Sequence, residues 1–379
     1  MSPAENNLEK VNGISESFLY ETSFYANITV GTPPRPMRVL LSLWHNACYL
    51  DALDSRDCFL QMSHKDCGPD GGYNASKSSS SRFTASGFTL DDEDISGKVF
   101  NDTLTIGDAT LDTFPLHVIT DPNHIVLSNT LGLGYTDSNS SSLSLPRALA
   151  DAGIINSTAF SFWTGPGGYS YNGTILFGGV NKAKYVDPLH TVPMVPDVDG
   201  LRKALRANMT NLSIMGVSPS PDPFPLDAAF DNQASLTYVP EAVARPLFKH
   251  FNITDIPNTG QVKVPCDMVS SNTTLIFEFG SVKLPIPVGY FVRGDSPYEY
   301  EYYQDTCFSG IAVNKHYQHK GSIVLGTNFM RIVYMVFDLD NDEVSFAWRN
   351  ESGPDNILEI TSGKGSVPGA TISTQACMI

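Results

Sequence analysis

Apolar residues in this 379-residue chain are gathered in short runs rather than in helical stretches. Residues 25–30, 37–41, 103–106, 173–177, 322–325, 332–338 and 343–348 are rich in β-branched and aromatic side chains. Gly, Pro, Asn or Asp bound these runs, which is how strands are punctuated. Helical periodicity is weak and brief, over 145–153 and 240–251 only. The pattern predicts an all-β chain with a few short helices.

A faint internal repeat suggests two lobes. Each half has an apolar run entering a polar turn, at 38–46 and at 226–235. Each later has an apolar-apolar-Gly element, Thr130-Leu-Gly-Leu-Gly134 and Ile323-Val-Leu-Gly326. The Pro, Val and Asp-rich stretch 188–199 reads as the crossing between lobes. The expected division is an N-terminal lobe over 15–188, a C-terminal lobe over 189–349 and a loose tail over 350–379, where Gly, Ser and Thr dominate.

Composition narrows the function classes. Hydrophobic residues make up 41% and charged residues 17%, which is globular rather than disordered. A net charge of -16 leaves no basic footprint for nucleic acid or anionic lipid. No apolar run is long enough to span a bilayer. The sequence opens without an apolar leader, yet eleven of its 24 Asn residues begin N-x-[ST]. Chance predicts roughly four, so the chain is expected to meet the glycosylation machinery of the secretory pathway. The six Cys residues show no metal-ligand spacing, and although His316-Tyr-Gln-His319 has a spacing that could chelate a metal on a helix, no metal and no cofactor is expected.

Two segments carry the chemical argument. The first reads V-L-L-S-L-W-H-N-A-C-Y-L over 39–50, and the second A-A-F-D-N-Q-A-S-L-T-Y-V-P over 228–240. They resemble the two active-site loops of pepsin-like aspartic proteases, in which each apolar strand ends in D-[ST]-G. Further likenesses are Tyr25-Ala-Asn-Ile-Thr-Val-Gly-Thr-Pro-Pro34, Thr174-Ile-Leu-Phe-Gly-Gly179, and Ile323-Val-Leu-Gly-Thr-Asn-Phe-Met330 followed by Tyr334-Met-Val-Phe-Asp338. The resemblance covers roughly residues 22–349 and is nearest in flavour to fungal secreted members. It implies a bilobal fold with a central cleft, and apolar-apolar-Gly elements crossing behind the loops. It also implies disulfides Cys58–Cys67 and Cys266–Cys307. Cys48 is expected to be a buried thiol, and Cys377 has no evident partner.

The same alignment removes the family's chemistry. Ser42 stands where the first catalytic Asp belongs, while Asp231 keeps the second. Aspartic proteolysis needs two carboxyls sharing one proton around a water, and a hydroxyl is no substitute base. Trp44 and Gln233 replace the loop glycines, and Leu90 stands where the flap carries its Tyr, beside four acids at 91–94. Asp151-Ala-Gly153 and Asp70-Gly-Gly72 share the D-x-G form, but neither follows an apolar strand as a catalytic loop does.

Asp231, His45 and Ser42 are the candidate catalytic groups, with Trp44, Leu90, Gln233 and Asn232 as candidate ligand contacts. A His–Asp pair does general acid–base work near neutrality, and the three residues have the composition of a nucleophilic triad without securing its geometry. A structural or solvated His45 and an Asp231 carboxylate hydrogen-bonded to the loop opposite are the plainer readings. The expected function is a non-proteolytic, monomeric pepsin-fold protein that holds a peptide or an apolar small molecule in its cleft. The alternatives are a repurposed cyclase, isomerase or dehydratase of fungal natural-product assembly, and a weak residual endopeptidase.

Overall fold

The computed structural model describes residues 9–18, 21–55, 70–90, 95–120, 129–136, 142–164, 172–196, 204–215, 224–294, 306–315, 321–350 and 353–373, those before 23 by backbone alone. Strands dominate, and among the described residues the α-helices are Leu145–Asp151, Glu241–His250 and Thr327–Met330. Every predicted strand forms. The two predicted helices form too, and Pro146 in the first turn of Leu145–Asp151 removes an N–H that had no partner to lose.

The strands build a large sheet of 14, a second of seven, and two small ones. The large sheet is not confined to one half of the sequence. Val333–Asp338 pairs with Ala159–Thr164, and Glu343–Arg349 pairs with Tyr185–Pro193. The chain's closing strands are thereby sewn into the first half. Strand Tyr185–Pro193 itself runs through residue 188, where the lobes were expected to part.

Behind the two candidate loops the same arrangement occurs twice. Arg35–Ser42 lies parallel to Thr130–Gly132, with Ser42 opposite Gly132, and Cys48–Asp51 runs antiparallel on the other side. In the second copy Leu226–Phe230 lies parallel to Ile323–Leu325, with Thr237–Val239 antiparallel beyond it. Each loop therefore leaves the sheet and returns astride a short central strand. Gly132 and Gly326 permit this crossing. A Cβ on Gly132 would lie 2.5 Å from the Ala47 nitrogen, and one on Gly326 would lie 2.1 Å from the Leu236 carbonyl oxygen. No side chain fits either place.

The Cys266–Cys307 disulfide is formed, and Cys48 is a buried thiol that desolvation keeps protonated. Cys58, Cys67 and Cys377 lie outside the described residues. Asp151 ends its helix in an exposed ion pair with Arg147, and Asp70 is tied to Arg38 at 2.6 Å, so neither D-x-G decoy belongs to the floor.

The tail reading needs correction. Ile357–Glu359 pairs with Gly179–Asn181, and Ala370–Ile372 adds a parallel strand beside Tyr185–Pro193. Ile360 and Val367 are buried against Trp163, Leu176, Val180 and Leu189. A few spaced apolar residues anchor 353–373, and a composition argument dilutes them among Gly and Ser.

Two expectations follow. Gly326→Ala forces backbone against backbone and should cost on the order of 3 kcal/mol, read from urea unfolding. Asp338 is fully buried, and desolvation raises its carboxyl to about 6. The native state then binds the proton that the unfolded chain releases, so this group's contribution to stability is full below about pH 4 and is lost as pH rises through 6. Asp338→Asn should remove a pH-dependent difference on the order of 2 kcal/mol between those limits.

Candidate functional site

The two loops meet through Asn232. Its Oδ1 accepts the Leu43 N–H at 3.1 Å, and its Nδ2 donates to the Leu41 carbonyl at 2.6 Å. All three groups are buried, so each bond satisfies a polar atom that water cannot reach. Leu41 and Leu43 flank Ser42, and Asn232 follows Asp231. This one amide therefore sets the two candidate residues on facing sides of the floor. The reverse clasp is missing, because the side chain of Leu43 at the matching position of the first loop has no polar atom and packs in the core.

Each loop also turns back on its own first residue. Asp231 Oδ1 accepts the Gln233 N–H at 2.8 Å, with a further backbone bond from Ala234. In the first loop Ser42 Oγ accepts the Trp44 N–H and the His45 N–H, both at 3.2 Å. Residue i is thus held by the N–H groups of i+2 and i+3 in both copies. The loop course is kept although Trp44 and Gln233 stand in the glycine positions, and neither takes a positive φ. Trp44 does not prise the loop open.

Ser42 is fully buried, and His45 Nδ1 lies 2.8 Å from its Oγ. The His45 ring packs edge-on to Tyr49 at 5.6 Å. Asp231 takes its hydrogen bonds from Gln233 and Ala234 of its own loop. A serine-hydrolase triad needs one imidazole nitrogen on the serine and the other on the carboxylate. The hydrogen bonds that Ser42 and Asp231 make do not supply that relay. Burial raises the Asp231 carboxyl above the ordinary range, while its two backbone N–H bonds pull the other way.

Trp44 is half-buried and reaches into the second half, where the Arg206 guanidinium lies 5.8 Å from its ring centroid. Arg206 is the largest fully buried side chain and is ion-paired with Asp227. Such a cation is kept in place by its counter-charge and by the indole face. Gln233 is partly exposed beside Asp231. Leu90 ends strand Arg82–Leu90, paired with Ile95 of the returning strand, and the acids at 91–94 lie outside the described residues.

Sequence reasoning missed an aromatic cluster beside the first loop. Phe88 packs on His117 with centroids 4.9 Å apart and on Tyr49 at 5.8 Å, and its ring fills the space a side chain at Gly97 would need. Tyr49 lies opposite His117 across paired strands, with Ala47 and Ile119 completing the cluster. His117 is buried, and desolvation lowers it to about 4, so it stays a neutral member of that cluster. Its one sequence signal is a His set among Leu116, Val118 and Ile119. His316 and His319 are outside the described residues, and among those described no His, Cys, Asp or Glu cluster is arranged to hold a metal.

Removing the clasp is the direct structural check. Asn232→Ala orphans the buried Leu43 N–H and Leu41 carbonyl and should cost about 2–4 kcal/mol in denaturant unfolding.

Comparison with known proteins agrees with this geometry. The family model for eukaryotic aspartyl proteases matches residues 23–349. A probable aspartic-type endopeptidase opsB of Aspergillus oryzae is 32% identical over 93% of this chain and 74% of its own length. The corresponding protein of Arthroderma benhamiae is 30% identical over 92% and 73%. The secreted aspartic protease 8 of Candida albicans is 27% identical over 86% and 75%. With the crossed loops, the glycine-backed strands and a match over most of its length, this chain belongs to the pepsin-like eukaryotic aspartyl protease family.

Proposed function

We propose that this member of the family is not a working endopeptidase and that its cleft binds a peptide or an apolar small molecule. One observation carries the reading. The N–H groups that would hold a first catalytic carboxylate close instead on the hydroxyl of Ser42. With a hydroxyl in that seat, Asp231 has no carboxyl at the facing position with which to share a proton. The mutual repulsion that splits a dyad into an acid and a base is then lost. The relatives named as endopeptidases lend the fold and the cleft.

The aromatic cluster of Tyr49, Phe88 and His117, which packs against His45 of the first loop, supports an apolar occupant. A secretory route is part of the same proposal. None of the nine sequon Asn side chains that the structure describes is buried, and Asn27, Asn156, Asn252 and Asn272 are exposed.

A second reading has one specific support. Burial holds the Asp231 proton above the ordinary carboxyl range, as a general acid requires. In that reading the cleft turns over an apolar substrate, by a cyclisation, isomerisation or dehydration.

The test compares wild type with Asp231→Asn. Denatured-protein substrates at pH 3–6 should show no hydrolysis that depends on Asp231. Any cleavage that Asp231→Asn abolishes returns the chain to the endopeptidases. A compound that copurifies unchanged with both forms, at affinities within about threefold (under 1 kcal/mol), supports binding. Turnover of that compound lost in Asp231→Asn establishes the acid–base enzyme instead.

A further inference from the structure

Asparagine does two different jobs in this chain. Among the described residues five Asn side chains are buried, Asn129, Asn181, Asn232, Asn314 and Asn341, and none of them begins N-x-[ST]. Each gives its amide nitrogen to the protein. The acceptors are the Asp70 carbonyl, Asp355, the Leu41 carbonyl, the Ser322 carbonyl and Asp338, at 2.6 to 3.1 Å. A buried amide must be satisfied in this way. The sequon residues are the opposite case. Asn27, Asn252 and Asn272 are exposed, and no hydrogen bond joins their side chains to the described residues. Asn156 is exposed too, but its Nδ2 donates to Glu359.

Local structure turns each of the three outward. Asn27 lies in strand Glu21–Val30 between buried Ala26 and Ile28, so the alternation of the strand directs it away from the core. The same alternation puts the Thr29 hydroxyl on its face. Asn252 follows helix Glu241–His250 with φ at 60°, a left-handed conformation that Asn tolerates. A helix stop accounts for Asn252 but not for exposed Thr254 two residues on. Asn272 lies between the short helix Cys266–Ser270 and strand Thr274–Phe279, with Thr274 as its hydroxyl residue.

We propose that Asn27, Asn252 and Asn272 are attachment sites for N-linked oligosaccharide on the folded protein. The assignment rests on the secretory reading and names where that route marks the chain. The donor is an oligosaccharide joined through pyrophosphate to a polyisoprenoid lipid. Nδ2 attacks the anomeric carbon of the first sugar, an N–C bond forms, and the C–O bond to pyrophosphate breaks. The lipid pyrophosphate leaves with the electron pair, and one amide proton passes to a base of the transferring enzyme. The nitrogen keeps one hydrogen and gains a bulky polar substituent, which a side chain leading into solvent accommodates. Asn129, whose Nδ2 holds the carbonyls of both Asp70 and Gly71 inside the protein, has no room for one.

The full chain is secreted from yeast behind a cleavable leader and treated with peptide N-glycosidase in ¹⁸O-water. Each Asn that carried sugar becomes ¹⁸O-labelled Asp, which peptide mass spectrometry locates. Label is expected at Asn27, Asn252 and Asn272. Thr29→Ala, Thr254→Ala and Thr274→Ala each delete one sequon hydroxyl and keep its Asn, so each should erase the label at that Asn alone. Thr29→Ser, Thr254→Ser and Thr274→Ser should retain it, with unchanged unfolding midpoints showing that the fold survives. A secreted chain without label at the three positions overturns the assignment and leaves the secretory reading standing. So does label confined to Asn211 and Asn350, whose amides donate to Glu278 and to the Ala183 carbonyl. Unlabelled protein found inside the cells of the source organism overturns the secretory reading and the assignment together.

Discussion

The cleft floor depends on a single carboxamide. Asn232 supplies an acceptor to one peptide group of the first loop and a donor to another, and only an amide side chain offers both from one planar end. A carboxylate would repel the Leu41 carbonyl, and a hydroxyl would not span the pair. Because the clasp is one-sided, the alignment of the two halves rests on this residue and on the large sheet that the closing strands Val333–Asp338 and Glu343–Arg349 join. The glycine-backed crossings then hold each loop rigid from behind.

Within that frame the first loop has changed its chemistry without changing its course. Two N–H groups directed at residue i make a seat for any small acceptor. Asp231 occupies the seat in the second copy and Ser42 in the first. A hydroxyl in such a seat differs from a carboxylate in one decisive respect, since it keeps a proton to donate. His45 Nδ1 lies 2.8 Å from that hydroxyl. The first loop thus pairs a hydroxyl with an imidazole, whereas the second carries a buried carboxyl. Trp44, which has no place in a glycine-tight loop, is accommodated by lying over Arg206 of the other half.

How much was legible varies with the kind of information involved. Strand runs, loop motifs and the glycine crossings are local patterns, and they appear where the sequence places them. The Cys266–Cys307 link was implied by family likeness and is formed. The tail was misread because Ile360 and Val367 are two residues among many polar ones, and their burial depends on a distant surface provided by Trp163 and Leu189. Phe88, Tyr49 and His117 were missed for a related reason. Nothing in a strand's own pattern says which face will meet a hairpin folded down from elsewhere. Asn232 was singled out as a ligand contact, whereas its side chain is spent on the opposite loop.

By itself, the sequence determined the fold and the loss of the carboxyl pair, because apolar periodicity, glycine positions and residue identity at two motif sites are properties of the chain as written. The direction of each hydrogen bond was decided only in three dimensions. Whether Ser42 gives or receives, whether Asp231 reaches His45, and whether Trp44 opens its loop all depend on which N–H groups and rings stand within about 3 to 6 Å. The contacts that join the two loops, Leu43 to Asn232 and Trp44 to Arg206, link segments far apart in the chain, and no local pattern along it brings them together.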